Sequence, residues 1–455
     1  MARRYDLLAT SLPLAYAGCG EPALAGDPLR GEARADVVVI GAGITGASAA
    51  FHLAEAGARV RLLEAERVGA GGSGRAFGQV VPYLRTEPAR TVSDLGTEAG
   101  ERLIATAAGT PALVAELVSR HAIACDLDAS GLIFAAHSAG GSVVLRERRD
   151  VWAARGVALP LLDMEQTLAA IGGGSYRAAL VEPRGLSLNP LAYARGLARA
   201  ASAAGATLHE RSRVVGMSSR HGGWRVETTE GRIACDTLVV AAGVAIGGIL
   251  PELRRRILPF RVHEAATAPL SADALAGILP RQRALTDTRR LPSGVRRTGD
   301  GRLVVTLSGP AGGGRAGDLG GGLARLRALF PHVDVTAFAE SWSGWVDLAP
   351  DQYPRLVEPR PGLSSATALA GVASGSAPRS ARPWRDVPWA AEPMRHPFRA
   401  WPAGRRAGCR VPASRSLQPR PRSAASTPGR RARPTPHGFQ PATDRDPDGY
   451  SHLAP

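Results

Sequence analysis

Residues 35–64 constrain the fold of this chain more than any other stretch, because they read as one β-α-β unit closed by an acid. Ala35–Ile40 (Ala-Asp-Val-Val-Val-Ile) is a run of β-branched residues opening on a glycine turn, the pattern of a buried parallel strand. Gly41-Ala42-Gly43-Ile44-Thr45-Gly46 follows. An alanine-rich helix from Gly46 to Ala56 carries Phe51 and Leu53 and ends at Gly57. Arg59–Leu63 is a second strand, with Glu64 at its end. Each glycine has a physical task. Gly41 permits the tight turn, Gly43 lets backbone approach a pyrophosphate, and Gly46 lets the helix pack close to the strand. The helix N-terminus, around Ile44 and Thr45, offers free N–H groups and a positive dipole end to phosphates. Glu64 and the adjoining Ala65 are placed to meet a ribose diol, and an acid there favours a free 2′-hydroxyl: NAD or FAD, not NADP.

Composition bounds the remaining classes. With 455 residues, 44% hydrophobic and 21% charged, the chain can bury a large core, read as two closely packed domains. No apolar run approaches the ~18 residues of a transmembrane helix, so no membrane association is expected. Cys19, Cys125, Cys235 and Cys409 form no CxxC pair, which gives neither a metal site nor a disulfide framework and places the protein in the cytoplasm. Cys125 and Cys235 read as inert core residues. The formal charge of +16 suggests a nucleic-acid partner, but its distribution does not: residues 364–455 hold 15 Arg against 5 acidic residues. The body is near balance, and no nucleic-acid partner is expected. Two early arginines and Cys19 hint at a lipoprotein signal, yet Asp6, Pro13 and Tyr16 interrupt it, so residues 1–34 read as an N-terminal arm.

Later segments continue an α/β pattern. A helix is predicted over Pro190–Ala204, strands over Thr207–Met217, Trp224–Thr229 and Asp236–Ala242, and a turn at Gly222-Gly223. A Gly-rich loop spans Gly309–Gly322 and a short helix Leu323–Phe330.

The segment after Glu64 distinguishes the two dinucleotides. Arg67-Val68-Gly69-Ala70-Gly71-Gly72-Ser73-Gly74-Arg75-Ala76-Phe77-Gly78-Gln79 can wrap the middle of an extended dinucleotide, with Ser73 and Arg75 supplying a hydroxyl and a cation. Here the sequence resembles FAD-dependent oxidoreductases of the D-amino-acid oxidase/glycine oxidase (DAO) type, and within them the γ-glutamylputrescine oxidase-like branch. That branch carries a Gly-Ala-Ser-Gly-Arg-x-Gly-Gly-Gln-like loop, from which this chain departs at Gly72 and Phe77; Phe77 is expected to narrow the pocket. Gly185–Pro190, Val214, Leu238–Gly243, and Trp342-Ser343-Gly344 with Asp351 and Pro354 match further family segments in order. The resemblance covers residues 35–363.

The resemblance implies an α/β fold: a Rossmann-like, glutathione-reductase-like FAD-binding domain from residues 35–110, 170–255 and 335–363. A mostly antiparallel substrate domain comes from residues 111–169 and 256–334. It also implies hydride removal from a carbon beside an amine nitrogen, giving an imine that hydrolyses. FAD would be held by Gly41, Gly43, Ile44, Thr45, Gly46, Glu64, Ala65, Ser73, Gly74, Arg75, Gln79, Val214, Ala242 and Gly243. The partners expected are a small amine or amino-acid substrate and an electron acceptor, dioxygen or another. Oligomeric state stays open, and so does the choice between oxidase and dehydrogenase, since the chain has no lysine to set over a flavin.

Catalytic residues are unassigned, with His263 and Tyr83 as candidates for substrate contact. Arg261, Arg289, Arg290, Arg296 and Arg297 are candidates for holding a carboxylate. Two rival readings are an NAD-dependent dehydrogenase, which leaves the Ser73–Gln79 loop unexplained, and a degenerate, non-catalytic flavoprotein.

The tail motivates that last reading. After Leu363 the composition turns to Ser, Ala, Arg and Pro, and residues 364–455 read as disordered. The family continues instead with a strand, a Gly-Phe-Ser-Gly-Arg-Gly-like turn against the flavin, and a final helix. Joining the third base of each codon from Ser364 to the first two of the next permits Val-Cys-Asn-Gly-Phe-Ser-Gly-Arg-Gly. A frameshift near Ser364 is therefore expected, with loss of that flavin-contacting turn.

Overall fold

β1 (Gly31–Ile40) organises the first sheet of this structure, a computed structural model that describes residues 12–13, 16, 20–220, 222–289, 293–310 and 317–367. All of them belong to one unit, Met1–Trp401. β1 runs parallel to β2 (Val60–Leu63) on one side and to β11 (Gly231–Val240) on the other. β8 (Thr207–His209) adds parallel to β2. β11 is shared along its length. Its first half pairs with β10 (Gly223–Thr228), itself paired with β9 (Val214–Arg220); its second half pairs parallel with β18 (Leu363–Thr367). β17 (Arg355–Arg360) closes that edge antiparallel. β1 starts at Gly31, earlier than the apolar run at Ala35 indicates. Residues 31–34 are largely exposed, but they pair with residues 231–234.

The helix Ile44–Glu55 is buried from Ile44 through Ala54, because sheet and helix Pro190–Ala203 cover opposite sides of it. The strand expected over Thr207–Met217 is two strands. The backbone turns at Arg211 (φ 50°), leaving the parallel edge beside β2 to enter the β9–β10 hairpin.

The second sheet has the order β16 (Glu340–Leu348), β12 (Leu258–Ala266), β15 (Leu303–Leu307), β14 (Gly294–Arg297), β13 (Ala284–Asp287), β4 (Leu132–Ala136), β6 (Ala178–Glu182), β5 (Leu161–Leu162). Every pairing is antiparallel except β13 with β4. Thus β6 and β16 lie in this sheet, although the sequence placed their residues in the FAD-binding stretches. One face packs Ile133, Leu285, Val295 and Val305 on Leu326 and Phe330. The helix bearing Leu326 spans Leu319–Leu329, capped by Asp318, so it begins inside the expected Gly309–Gly322 loop. A small ladder, β3 (Gln79–Val80) with β7 (Leu186–Ser187), completes the strands.

Two expectations about the chain ends change. The tail does not begin at Ser364: Leu363–Thr367 is a fully buried strand, and Ser365 Oγ donates to the Val240 carbonyl at 3.1 Å. The strand is inserted between β11, to which it runs parallel, and β17, to which it runs antiparallel. Residues 368–455, where the remaining tail and the alternative-frame segment fall, lie outside the described residues. The described residues of the N-terminal arm are built into the molecule. Tyr16 is fully buried, and Glu21 exchanges hydrogen bonds with Ala124 and pairs with Arg199. Asn189 ties arm to body. Its Oδ1 accepts from Leu191 N and Ala192 N, capping the helix, while its Nδ2 donates to the Tyr16 carbonyl at 3.1 Å. Asn189→Ala is expected to cost about 1–2 kcal/mol, read as a lowered Tm, with greater protease sensitivity before residue 31.

Candidate active site

The carboxyl ends of β1, β2 and β11 meet at one cleft of about 330 Å³, within the size range of small-molecule sites. Gly41 has φ 101°, and a Cβ there would lie 2.6 Å from the Ala241 carbonyl. A Cβ on Gly46 would sit 1.8 Å from the Gly41 carbonyl oxygen. Both positions therefore require glycine, and the close approach aims the Ile44–Glu55 helix N-terminus into the cleft. Gly71, Gly243 and Gly248 line the cleft with open space where side chains would project. This cradle fits an extended dinucleotide.

Glu64 is fixed from two directions: Oε2 accepts from Ala42 N at 2.8 Å and Oε1 from Glu66 N at 3.0 Å. Burial pushes its pKa above the usual carboxylate value, and those two N–H groups oppose the shift. Each oxygen keeps lone-pair capacity for a ribose hydroxyl. The loop after β2 is tied to the glycine turn. Gly69 N donates to the Ala42 carbonyl, and Ser73 Oγ accepts from Ile44 N at 3.0 Å. Ser73 thus stands at the helix N-terminus, where phosphate oxygens would compete for the same N–H.

Of the predicted cofactor residues, Gly41, Gly43, Ile44, Thr45, Glu64, Ala65, Ser73, Val214, Ala242 and Gly243 line the cleft. Gly46, Gly74, Arg75 and Gln79 stand behind it. Arg75 is buried, and its Nε donates to the Ala70 carbonyl at 3.1 Å, so it fixes the loop. Gln79 Oε1 accepts from Thr286 Oγ1 at 2.8 Å, linking loop to second sheet. Sequence reasoning missed Arg213, Trp345, Val346, Asp347 and Ala366 on the cleft wall. Only the match at Trp342-Ser343-Gly344 pointed towards β16.

The catalytic candidates lie elsewhere. His263 is buried on the sheet face that meets Gly309 and Gly317, and Nε2 lies 3.3 Å from the Pro310 carbonyl. Tyr83 packs against Phe134 and Trp152, with the Arg148 guanidinium over its ring, in a separate small pocket. Phe77 packs on Gly294 and does not line the cleft. Among the arginines, Arg289 and Arg325 pair with buried Asp287, Arg297 donates to the Ile278 carbonyl, and Arg261 donates to Ser343 Oγ. Arg290 lies outside the described residues. Arg296 is buried and donates through Nε to the Phe77 carbonyl at 2.7 Å. Cys125 and Cys235 are free and buried, and burial pushes both thiols up to about 12, which leaves them unreactive. Among the described residues no cluster fits a metal, and no helix is long and apolar enough to cross a membrane.

Beside Arg296 lies Glu264, whose carboxyl burial pushes up to about 8 while Arg296 opposes the shift. Unfolded, the same group ionises near 4.5. The folded state therefore holds a proton that the unfolded chain gives up, and stability falls as pH rises from about 4.5 to about 8. Thermal melts across that window should show the loss in wild type and a flatter profile in Glu264→Gln. A second expectation concerns the cradle. Gly46→Val forces helix and turn apart and weakens FAD retention by at least roughly tenfold, equivalent to about 1.4 kcal/mol, measured as flavin per chain after dialysis.

A family model described as "FAD dependent oxidoreductase" (DAO) matches residues 36–382. Gamma-glutamylputrescine oxidoreductase of Escherichia coli is 30% identical over 333 residues, 70% of this chain and 75% of its own. A probable oxidoreductase, OrdL, of Rhizobium meliloti is 29% identical over 346 residues, 75% of this chain and 80% of its own. The crystal structure of glycine oxidase from Geobacillus kaustophilus superposes with a TM-score of 0.65 at 23% identity, covering 77% of this chain and 93% of that one. This last likeness shows the fold: a parallel dinucleotide sheet joined to a mostly antiparallel one. With its glycine turn, acid-closed cleft and matched length, the chain belongs to the DAO family of FAD-dependent oxidoreductases.

Proposed function

We propose that the protein oxidises the C–N bond of a small amine or amino acid to an imine, which water then hydrolyses. The observation that carries this is the continuity of the cleft: it runs from Glu64 and the Ile44–Glu55 helix N-terminus to Trp345, Val346 and Asp347 of the second sheet. A dinucleotide lying in it would have its adenosine at Glu64 and its reactive end against β16. FAD bound there supplies the hydride acceptor. The chain's own residues bind and orient. Backbone N–H groups at Gly43 and Ile44 hold phosphate, Glu64 holds ribose, and Val214, Ala242 and Gly243 wall the cleft. The second sheet, with residues 111–169 and 256–334 as its core, covers the reactive end and excludes water. The relatives' names, gamma-glutamylputrescine oxidoreductase and glycine oxidase, support an amine or amino acid as the donor class. Dioxygen or another acceptor takes the electrons, and the reading entails neither nucleic acid nor membrane and a cytoplasmic setting.

Purified protein should carry FAD, identified by its absorption spectrum. Anaerobic addition of an amine panel (putrescine derivatives, N-methyl amino acids, simple amino acids) should bleach the flavin band with at least one member. A nicotinamide spectrum, or full FAD content with no bleaching by any amine or by amine plus an artificial acceptor, would refute the reading. Reoxidation of the bleached protein in air-saturated buffer then separates oxidase from dehydrogenase.

A further inference from the structure

Two chain segments wall the end of the cleft that holds Glu64. Ser212 N donates to the Glu64 carbonyl at 2.8 Å and Arg211 N to the Glu66 carbonyl at 2.9 Å, so residues 64–66 and 211–212 are joined beyond β2 and β8. Arg211 has φ 50°, a conformation few non-glycine residues adopt. The turn made there carries Ser212, Arg213 and Val214 along the cleft wall. From that wall the Arg213 side chain reaches back to the other segment, where Nη2 donates to Glu66 Oε1 at 2.6 Å. Beside it the cleft is apolar. Val214 and Ile249 both line it and both pack on the core that holds Leu238 and Val240. The helix Ile246–Ile249 lies against β9.

The Arg213–Glu66 pair is not there for stability. Its side chains are 50% and 38% exposed, and such surface pairs add little to folding. The pair orients instead. One edge of the guanidinium is committed to Glu66, which leaves its planar face for a flat ring, a contact that arginine makes well and lysine does not. The pair also answers a charge problem. Burial first, and the Glu210 and Glu66 charges after it, push the Glu64 carboxyl up; Arg213 offsets the Glu66 charge. One end of the cleft thus offers carboxylate oxygens, an apolar floor at Val214 and Ile249, and a planar cation at the rim. Together these suit a ribose diol carrying a flat heteroaromatic base.

We propose that Arg213 is a cofactor-positioning residue: its guanidinium, aimed by Glu66, stacks on the adenine of bound FAD and holds the base against Val214 and Ile249. This rests on the reading above that places the adenosine of FAD at Glu64. What Arg213 recognises is the base and not the phosphates, which the backbone N–H groups at Gly43 and Ile44 meet. Its charge serves the ion pair that aims the side chain, and its plane serves the contact with the ring.

The test follows FAD release from the purified holoenzyme, read as the rise in flavin fluorescence on dilution, with Tm as an independent report of folding. Arg213→Ala should speed release at least roughly tenfold, the scale on which a base loses a stacking partner. Arg213→Lys keeps the cation but not the plane, and should release FAD nearly as fast as Arg213→Ala. Arg213→Tyr keeps a plane without the charge, and should release it nearly as slowly as wild type. Glu66→Gln should fall between wild type and Arg213→Ala. A folded Arg213→Ala that holds FAD like wild type overturns the proposal. Slow release by Arg213→Lys, or fast release by Arg213→Tyr, overturns it as well, because charge and not a plane would then be what holds the cofactor. Glu64→Gln separates this from the reading beneath it. Fast release by Glu64→Gln with normal release by Arg213→Ala leaves the adenosine at Glu64 and sinks only the role of Arg213. Wild-type release by both variants removes the placement of the adenosine too.

Discussion

The approach of the Ile44–Glu55 helix to the strand before it is the contact on which the rest depends. The Gly46 α-carbon packs against the Gly41 carbonyl so closely that no side chain is possible. That approach sets the helix axis, and with it the direction of the free N–H groups. It also lets the helix lie flat enough to be buried on both sides, by the sheet and by Pro190–Ala203. Glu64, Ser73 and Gly69 each bond to backbone of the 42–44 turn, so the acid and the loop inherit their positions from it.

Much of this was legible in the sequence because it is local. Turn, helix, second strand and acid lie within 30 consecutive residues, and each is marked by a residue type with one physical use. Long-range features were less visible. Ser364–Thr367 looks like the start of a low-complexity tail, since Ser, Ala and Thr carry no apolar period. It is a strand because β11 and β17 offer backbone partners on both of its edges, a long-range pairing that local composition does not reveal. Tyr16 looked like a flaw in a signal sequence and is instead a core residue, a role decided by Trp342 and Arg296 more than 250 positions away. His263 and Tyr83 do not line the cleft, and their placement was hard to read for a related reason. Strand alternation reveals that residues 263 and 264 face opposite ways, but not which face meets the cofactor.

The second sheet does two jobs at once. Its outer face is closed by ordinary apolar packing on the Leu319–Leu329 helix. Its inner face carries polar groups that reach the Arg75 and Phe77 carbonyls and the Gln79 side chain of the loop. The loop is therefore held from behind by side chains and from the front by the glycine turn. Such double anchoring keeps a glycine-rich segment in one conformation, which a site must do if small displacements of a reacting carbon are to matter.

The place of β18 has a consequence for how the molecule is made. The first sheet takes β1 from near residue 31 and β18 from residue 363, with the whole second sheet encoded between them. On the ribosome the glycine turn and its helix emerge early, yet the edge of β11 beside Val240 stays open until the last described strand arrives. For most of synthesis that edge is a ladder of unpaired N–H and C=O groups next to a hydrophobic core. Folding of this chain is thus governed by contacts of high sequence separation, and it closes late.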